Sequence, residues 1–328
     1  MSFLYNLKTR FKKWAGESEF GYAAFQRVRN AFVRVMALQS DDRYAHWFYK
    51  TYTGRTLNLK DPQRFDEKLW WLKLNNRDPM LTLCSDKYRV RDYVRDCGLS
   101  DILIPELGVY DRAEDIDFSA FPEETILKCN HGSGENFFVQ PNVPINEKSI
   151  RHKLNYARKQ KYYLISREWN YKNIPPKIVA DKVMRDKAGH LPLDYKFMCF
   201  DGEPKLLFLD LQLVRDDGSY DDGYPRNIYD MDFHLLPVWE TRKNADYPVE
   251  KPENFARMVE VARRLAKPFP HCRVDLYNLD GAVYFGEITF YHGGGCNDIQ
   301  PEEWDYKMGS WIDLNSPKIV REEKKHRG

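Results

Sequence analysis

Two short stretches separated by a few residues decide the fold: Arg273-Val274-Asp275-Leu276-Tyr277 and Tyr284-Phe285-Gly286-Glu287-Ile288-Thr289. Polar and apolar residues alternate in both, which is typical of half-buried strands. The sequence between them contains Asn278-Leu279-Asp280-Gly281. It predicts a three-residue loop that ends with glycine in the left-handed region, a type I turn with a G1 bulge. We therefore expect a β-hairpin.

The loop sets the expected register of this hairpin. The predicted cross-strand pairs are Tyr277–Val283, Asp275–Phe285 and Arg273–Glu287. Alternation then gives a charged face, formed by Arg273, Asp275, Glu287 and Thr289, and an apolar face, formed by Val274, Leu276, Tyr284 and Ile288. Two carboxylates on one face can hold Mg²⁺, which prefers oxygen ligands. A solvated hairpin with a cross-strand Arg–Glu pair explains the same pattern equally well.

Length, charge and cysteine content limit the class of protein. A chain of 328 residues can bury a large core in two lobes or domains. Its formal charge of +2 gives no reason to expect a nucleic acid partner. The six cysteines form no CxxC pair and no signal peptide is recognisable, so we expect reduced thiols, no zinc site and a cytoplasmic protein. No apolar run reaches the roughly 20 residues of a membrane-spanning helix.

The start of the chain predicts a basic amphipathic helix. Its apolar residues recur at three- and four-residue spacing, with cations between them: Phe3, Leu4, Leu7, Phe11 and Trp14; Lys8, Arg10, Lys12 and Lys13. Such a helix can bind peripherally to an anionic membrane or pack against the rest of the protein. Packing is the more frequent use, and both readings stay open.

The middle of the chain changes from helices to strands. Helices are expected over 65–72 and from Ser85 to Cys97, the second capped by Ser85 and ended by Gly98. Two strands, 125–128 and 137–139, then flank a glycine-containing loop, 131–136. A Walker loop or a dinucleotide loop opens a helix, and this loop does not, so we expect a hairpin flap. Its backbone N–H groups could approach phosphate oxygens, although a plain surface hairpin has the same pattern.

The second half of the chain predicts an antiparallel sheet covered by a helix. A charged helix over 146–160 comes first, and strands are expected over 177–184, 194–200, 204–214 and 225–231. A helix that follows Pro252 has an apolar stripe that could cover this sheet: Phe255, Met258, Val259, Ala262, Leu265 and Ala266. The fold class is therefore α+β.

In this order, the elements resemble those of ATP-grasp enzymes. The resemblance is carried by Asp86-Lys87, Lys128 before the flap, the strand 178–184 and the acidic hairpin. Three motifs are more narrowly similar to the TupA-like branch, which is linked to teichuronopeptide and other surface-polysaccharide synthesis: Asp194-Tyr195-Lys196-Phe197, Phe200-Asp201-Gly202 and Tyr284-Phe285-Gly286-Glu287-Ile288-Thr289-Phe290. The resemblance covers roughly residues 65–300.

The resemblance implies an ATP-grasp fold, in which two α+β subdomains with antiparallel sheets grip ATP. The expected divisions are an N-terminal helical region (1–79), a subdomain with the flap (80–176), a subdomain with the larger sheet (177–315) and a charged tail (316–328).

The resemblance also implies individual roles. Lys87 and Lys128 would hold the phosphates of ATP, under a flap formed by Gly132, Ser133 and Gly134. The adenine would contact the backbone of Lys182, Val183 and Met184, which follow Asp181 where the family usually has Glu. The acid that binds the ribose would be Asp186 or Asp194. Mg²⁺ would be held by Asp275, Glu287 and Thr289, the last of which stands where many ATP-grasp enzymes have Asn.

The implied reaction is an ATP- and Mg²⁺-dependent ligation. A carboxylate, such as a uronic acid or an amino acid, would become an acyl phosphate that an amine or glycan acceptor attacks. Arg273 is the best catalytic candidate, with an ion pair to Glu287 as its structural alternative. Lys196, Arg215 and Arg226 could bind the acid substrate, although an ordinary surface charge is the more frequent role of such residues.

Two other classes remain open. A glycosyltransferase needs an Asp-x-Asp metal motif after a strand of a parallel sheet, and Asp230-Met231-Asp232 has those letters. A phosphotransferase, or a member without catalytic activity, could share the ATP-grasp fold.

Overall fold

The computed structural model of the chain describes residues 27–28, 31, 33–132, 136–211 and 223–322. The expected N-terminal amphipathic helix, the flap residues Ser133 and Gly134, and Arg215 lie outside these ranges. Across the described residues, no helix combines the length and the apolar character that crossing a membrane requires.

Helices surround two larger sheets, and two short strands form a third sheet. The α-helices are α1 (Asp41–Thr53), α2 (Phe65–Asn75), α3 (Pro79–Ser85), α4 (Val90–Asp96), α5 (Glu147–Arg158), α6 (Tyr163–Ser166), α7 (Phe255–Ala266) and α8 (Glu302–Ser310). The strands are β1 (Glu106–Tyr110), β2 (Thr125–Cys129), β3 (Asn136–Val139), β4 (Ile178–Lys182), β5 (Asp194–Phe200), β6 (Glu203–Asp210), β7 (Arg226–Tyr229), β8 (Trp239–Glu240), β9 (His271–Leu279), β10 (Ala282–Thr289) and β11 (Ile299–Gln300).

The first sheet has the strand order β1-β4-β2-β3 and is antiparallel. Alternation along β2 buries Thr125 and Leu127, whereas Ile126 and Lys128 stay partly exposed on the other face. Leu127 packs in a small core with Leu154 of α5. The sequence predicted that the strand over 177–184 belongs to the same sheet as the strands that follow it. This prediction was wrong, because β4 pairs with β1 and β2. A single extended segment does not reveal its partners.

The second sheet has the order β10-β9-β5-β6-β7 and is also antiparallel. Helix α7 packs across its central strands β5, β6 and β9. The apolar stripe of α7 is buried as predicted, with Val261 buried and Val259 only partly so. Burying each large apolar side chain stabilises the fold by about 1.5–3 kcal/mol. The α+β class is confirmed.

The β9–β10 hairpin closes differently from the prediction. Leu279 pairs with Ala282, so the loop has only two residues, Asp280 and Gly281. Both have positive φ angles, 52° and 84°, as a type I′ turn requires. The three-residue loop with a G1 bulge was therefore wrong, because an Asp-Gly pair serves both loop types and sequence alone does not separate them.

The shorter loop also changes the register. Tyr284 pairs with Tyr277 and Phe285 with Leu276, so the expected pairs Tyr277–Val283, Asp275–Phe285 and Arg273–Glu287 were wrong. A β-bulge at Gly286 then shifts the ladder by one residue, and Glu287 lies opposite Asp275. The four residues of the expected charged face remain together for this reason. Tyr284 moves from the apolar to the charged face.

The helix expected from Ser85 to Cys97 is interrupted. Helix α3 ends at Ser85 and α4 begins at Val90. Between them, the Asp86 carboxylate accepts hydrogen bonds from the N–H groups of Tyr88 and Arg89, at 2.9 and 3.3 Å. Asp86 rather than Ser85 therefore organises this turn. Gly98, with φ of +67°, follows the end of α4 as predicted.

Candidate active site

A cleft lies between the two sheets. Residues of β2, β3 and β4 line it on one side, and Tyr277, Phe285 and Gly286 of the β9–β10 hairpin line it on the other. Seven residues with a predicted nucleotide-binding role are among its lining residues: Lys87, Lys128, Asp181, Lys182, Val183, Met184 and Asp194. The structure thus brings together residues that are far apart in the sequence.

Part of the cleft is apolar. Ile126 and Phe138 lie directly opposite each other on β2 and β3, and both line the cleft. Leu191 and Phe285 add apolar surface from other segments. A slot of this kind suits the faces of a flat aromatic base. These residues were not predicted as site residues, although the alternation along β2 and β3 places Ile126 and Phe138 on the same face of the sheet as Lys128 and Asn136.

Two cations contact the buried Asp181 on the side of the cleft formed by the first sheet. Lys128 Nζ lies 2.8 Å from Asp181 Oδ2, and Arg91 Nη1 lies 3.9 Å from Asp181 Oδ1. Arg91 extends from α4 and also donates to the Ile104 carbonyl at 2.8 Å. Arg91 was not predicted as a site residue, since an arginine in a charged helix carries no distinguishing signal.

The two candidates for the ribose-binding acid have different surroundings. Asp194 lines the cleft. Asp186 instead accepts hydrogen bonds from the N–H groups of Ala188 and His190, at 3.0 and 2.8 Å, and so closes a turn. Asp186 is not among the described lining residues of the cleft. The arrangement favours Asp194.

The acidic hairpin presents a compact polar cluster beside the cleft. Arg273 forms two hydrogen bonds with Asp275, from Nε to Oδ1 at 2.6 Å and from Nη2 to Oδ2 at 2.7 Å. The same Nη2 lies 3.1 Å from Glu287 Oε1 and 3.2 Å from the Thr289 hydroxyl. Thr289 Oγ1 also donates to Glu287 Oε1 at 3.0 Å. The predicted catalytic arginine therefore contacts all three predicted metal ligands.

Lys87 connects this cluster to the cleft. Its Nζ lies 3.3 Å from Glu287 Oε2, and its backbone N–H donates to the Asn130 carbonyl at 3.1 Å, at the start of the flap loop. Lys87 also lines the cleft. A cation in this position faces both the acids and the cleft.

The two acids differ in their protonation behaviour. Burial raises the pKa of Glu287, but the charges of Lys87 and Arg273 and the Thr289 hydrogen bond outweigh it and lower the pKa to about 2. Burial raises the pKa of Asp275 above its ordinary value despite the opposing charges of Arg273 and Lys196. Glu287 is thus held as a carboxylate, whereas Asp275 depends on its cations to stay ionised.

Lys196 is buried among three carboxylates. Its Nζ lies 2.9 Å from Asp194, 3.2 Å from Asp210 and 3.9 Å from Asp275. Asp210 also pairs with Arg226, at 2.5 Å from Nε. These groups form a row of alternating charge across the second sheet, from β10 to β7, on the face opposite α7.

Beyond β7, two residues that were not predicted as site residues, Glu240 and His292, extend this network of contacts. Arg226 Nη1 donates to Glu240, and His292 Nε2 lies 3.7 Å from the same carboxylate. His292 Nδ1 in turn lies 2.8 Å from Arg273 Nη1. Burial lowers the pKa of His292 to about 4 despite Glu240, so the ring is neutral and its Nδ1 can accept the arginine hydrogen bond. A buried chain of contacts thus returns from Glu240 to Arg273.

The Asp-x-Asp motif, Asp230-Met231-Asp232, lies in an ordinary turn. Asp230 accepts hydrogen bonds from the N–H groups of Asp232 and His234, at 2.9 and 2.8 Å. The three side chains are close enough to hold a metal ion, but Asp232 and His234 are exposed. All strand pairs within the described ranges are antiparallel. The parallel sheet that a glycosyltransferase motif needs is therefore absent from that part of the chain.

Comparison with known proteins gives one family. A model described as TupA-like ATPgrasp matches residues 67–313. No curated protein matches the chain.

Several solved structures are distantly similar to the chain. D-alanine–D-alanine ligase from Bacillus anthracis is 18% identical over 73% of this chain and 69% of its own, with a TM-score of 0.40. An L-amino acid ligase from Bacillus licheniformis is 14% identical over 65% of this chain and 44% of its own, with a TM-score of 0.39. Phosphoribosylamine–glycine ligase from Thermotoga maritima is 12% identical over 66% and 49%, with a TM-score of 0.41. The chain spans less than half the length of the last two.

Proposed function

The chain belongs to the TupA-like ATP-grasp family, and on this basis we propose that it is an ATP- and Mg²⁺-dependent ligase. It would join a carboxylate to an amine, or to a related nucleophile, during the synthesis of a surface polysaccharide or glycopeptide. The observation that carries the proposal is the position of Lys87, whose Nζ contacts Glu287 at 3.3 Å while the residue lines the cleft. Acids suited to a metal and a cation suited to phosphate thus meet at the cleft.

The residues present fit Mg²⁺. Asp275 and Glu287 lie opposite each other on paired strands, and the side chain of Glu287 is 38% exposed. Together with the Thr289 hydroxyl, they offer only oxygen atoms, which are the ligands that Mg²⁺ prefers. Thr289 would complete the set in place of the usual Asn. When bound, the ion would neutralise charge on the phosphates of ATP.

The cleft supports a specific placement of the nucleotide. The base would lie between Ile126, Phe138 and the opposite apolar wall. The N–H groups of Lys182 and Val183 already donate to the Pro105 and Glu124 carbonyls, at 3.0 and 2.8 Å, so the base would pair with the remaining backbone groups of this segment, which ends at Met184. Asp194 would bind the ribose, and Lys87 and Lys128 would bind the phosphates.

The proposed reaction has two steps. A carboxylate oxygen of the substrate attacks the terminal phosphorus of ATP, which releases ADP and leaves an acyl phosphate. The amine then attacks the acyl carbon, a C–N bond forms, phosphate leaves and the nitrogen loses a proton. Catalysis of this kind depends mainly on positioning and on fixed positive charge.

Arg273 and Lys196 have separate tasks in this proposal. Arg273 lies among the metal acids, where its guanidinium can neutralise charge on the acyl phosphate. Lys196 is buried and its charge is balanced by three carboxylates, so it is better suited to positioning Asp275 than to contacting a substrate. Arg226 pairs with Asp210 and Glu240, so it is likewise better suited to positioning these buried carboxylates than to contacting a substrate.

Product analysis tests the proposal. The purified protein is incubated with Mg²⁺-ATP, candidate uronic or amino acids, and candidate amines, and ADP and phosphate are measured. A ligase releases both only when a carboxylate and an amine are present together. ADP release with a phosphorylated acceptor, and no free phosphate, would instead indicate a phosphotransferase. UDP release from a sugar nucleotide would support the glycosyltransferase alternative.

Peripheral binding to the inner face of the membrane is part of the proposal and rests on the sequence of residues 3–14 alone. Sedimentation with anionic liposomes at low and high salt tests it, because binding through Lys8, Arg10, Lys12 and Lys13 would weaken as salt increases. A protein that never sediments at low salt would exclude it.

A further inference from the structure

A second cleft lies beside the flap loop, separate from the nucleotide cleft. It is formed by the end of α5, by α6 and by the segment 171–176, and His131 lies at its edge. Its volume is about 550 Å³, which is enough for a small molecule or for part of a chain. None of the nucleotide roles proposed above involves it.

The lining of this second cleft is strongly basic and aromatic. Four cations line it: Arg158, Lys159, Lys161 and Lys172. Three tyrosines line it as well: Tyr162, Tyr163 and Tyr171. No carboxylate is among the described residues that line it. Because the whole chain has a formal charge of only +2, this concentration of positive charge is a local feature.

The tyrosines are arranged rather than scattered. Tyr162 and Tyr171 pack edge to face with ring centroids 5.1 Å apart, which sets their two faces nearly at right angles. Lys172 Nζ lies 5.2 Å from the centroid of the Tyr163 ring. Flat aromatic faces next to ammonium groups suit a ligand that has both apolar ring surface and negative charge.

Buried polar atoms in the lining also point to a ligand. His131 is only 6% exposed, and its Nδ1 has no hydrogen-bond partner among the described residues, whereas its Nε2 lies 3.2 Å from the Gln160 carbonyl. Arg158 Nε likewise has no partner among those residues. Both atoms would be available to hydrogen-bond a ligand in this cleft.

The second cleft is close to the proposed reaction centre. His131 follows Asn130, whose carbonyl accepts the Lys87 N–H at 3.1 Å, and Lys87 Nζ contacts Glu287. On the other side, Asn170 next to Tyr171 donates to Ser85 at 2.6 Å, two residues before Lys87. A chain bound in the cleft would therefore end near the acids and the phosphate-binding lysines.

We propose that this second cleft binds an acidic saccharide, a sugar chain that carries carboxylates, and presents it to the reaction centre. The sugar rings would stack on Tyr162 and Tyr171, and the carboxylates would pair with Lys159, Lys161 and Lys172. An acidic peptide offers the charge but no flat ring surface, so the aromatic lining favours the saccharide. This inference rests on the proposed function and specifies its substrate class.

Binding measurements test the proposal without any turnover. The full-length protein is titrated with an oligogalacturonate of defined length, with an uncharged oligosaccharide of similar length and with oligoglutamate. We expect the oligogalacturonate to bind best, with an affinity that falls as salt is added. The double variant Lys159→Glu/Lys161→Glu should bind it at least roughly tenfold more weakly, since each charge-assisted contact is worth about that factor. Tyr162→Leu should weaken binding without changing the charge.

The matched control is Lys148→Glu, an exposed reversal on the first turn of α5, outside the cleft. It should bind like the wild type. Equal loss in this control, equal binding of the uncharged saccharide, no binding of oligogalacturonate, or tighter binding of oligoglutamate would each overturn the proposal. A separate measurement of ATP binding shows whether the nucleotide site is intact in each variant, so a failure of ligase activity remains distinguishable from a failure of saccharide binding.

Discussion

Asp275 and Glu287 share one face of a hairpin, yet their surroundings give them different duties. Asp275 is 3% exposed and receives both arms of the Arg273 fork, with Lys196 nearby. The side chain of Glu287 is 38% exposed and is directed to Lys87 at the cleft. The buried charge network therefore holds Asp275 in place at the proposed metal site, whereas Glu287 faces the cleft.

These differences predict that both substitutions lower activity, whereas their effects on stability differ. Glu287→Gln should lower ATP turnover by roughly 100-fold or more, as expected when a charge that organises the reaction is lost. It should also lose about 1–2 kcal/mol of stability at pH 7, because a carboxylate whose pKa is lowered to about 2 stabilises the fold, and the partial exposure of Glu287 screens only part of this contribution. Asp275→Asn should also lose turnover but less than about 1 kcal/mol of stability, because burial raises the pKa of Asp275, and Arg273 and Lys196 keep other carboxylate partners.

Urea denaturation and ADP release measure both quantities on the same preparations. Glu253→Gln, an exposed carboxylate without a described ion pair, serves as the control for loss of one negative charge and should match the wild type. Wild-type turnover in both acid variants would rule out their proposed role.

At the scale of elements, the hairpin shows what sequence can and cannot predict. Alternation correctly placed Arg273, Asp275, Glu287 and Thr289 together. It failed on the loop length and on the Gly286 bulge. Each shifts the register by one residue, and the combined shift of two residues restores the predicted faces beyond the bulge. A bulge depends on how two strands pair, so the sequence of one strand alone does not predict it.

The bulge makes a prediction of its own. A Cβ added at Gly286 would lie 3.0 Å from the Asp275 carbonyl oxygen, closer than packing normally allows. Gly286→Ala should therefore displace the ladder at the metal acids and lower turnover by roughly tenfold to 100-fold, since a shift of about 1 Å at a reaction centre can cost that much.

Gly281→Ala is the matched control in the same hairpin. Gly281 has φ of +84°, and no atom lies within 4 Å of its added Cβ. This variant should lose about 1 kcal/mol through backbone strain and keep its turnover. If both variants lose turnover equally, the bulge has no special role in the site.

The link between β7 and β8 gives a prediction about pH. Glu240 is buried; burial raises its pKa, but His292 and Arg226 outweigh this and lower it to about 2 from 4.5. A depressed carboxylate pKa stabilises the fold above the unfolded pKa, and this contribution is lost as pH falls from about 4.5 to about 2. Glu240→Gln should lower stability at pH 7 by about 3 kcal/mol, which matches the shift of about 2.5 units. Its stability should also fall less steeply between pH 4.5 and pH 3.

Denaturation curves at pH 7, 4.5 and 3 test this, with exposed Glu250→Gln as the control that should follow the wild type. His292 also lowers stability as the pH falls, in the wild type and in both variants. A buried neutral histidine with a pKa of about 4 disfavours the folded state below about pH 6.5. A Glu240→Gln variant with an unchanged pH profile would show that the Arg226–Glu240 pair contributes nothing.

At the scale of the whole molecule, the family and the ATP-grasp fold were predictable because several loose motifs occur in one order, and both are confirmed. The partners of β4 were not predictable, since each strand pattern describes one segment and not its neighbours. The second cleft was equally hidden, because its cations and tyrosines read as a solvated helix and loop until α5, α6 and the segment 171–176 are placed side by side.

The two sheets predict how the whole molecule responds to nucleotide. The first sheet contributes its edge strand β3, with Asn136 and Phe138, to the cleft, and an edge strand has one free side from which its amides exchange readily. ATP with Mg²⁺ should slow hydrogen exchange in peptides that cover β2 and β3, because the ligand would bind both sheets at once. At 100 times its dissociation constant it should also add about 2.7 kcal/mol to stability. Peptides from α7, which lies on the far face of the second sheet, should change least. Lys128→Ala should lose most of the protection at a fixed ATP concentration, and protection confined to α7 would place the nucleotide elsewhere.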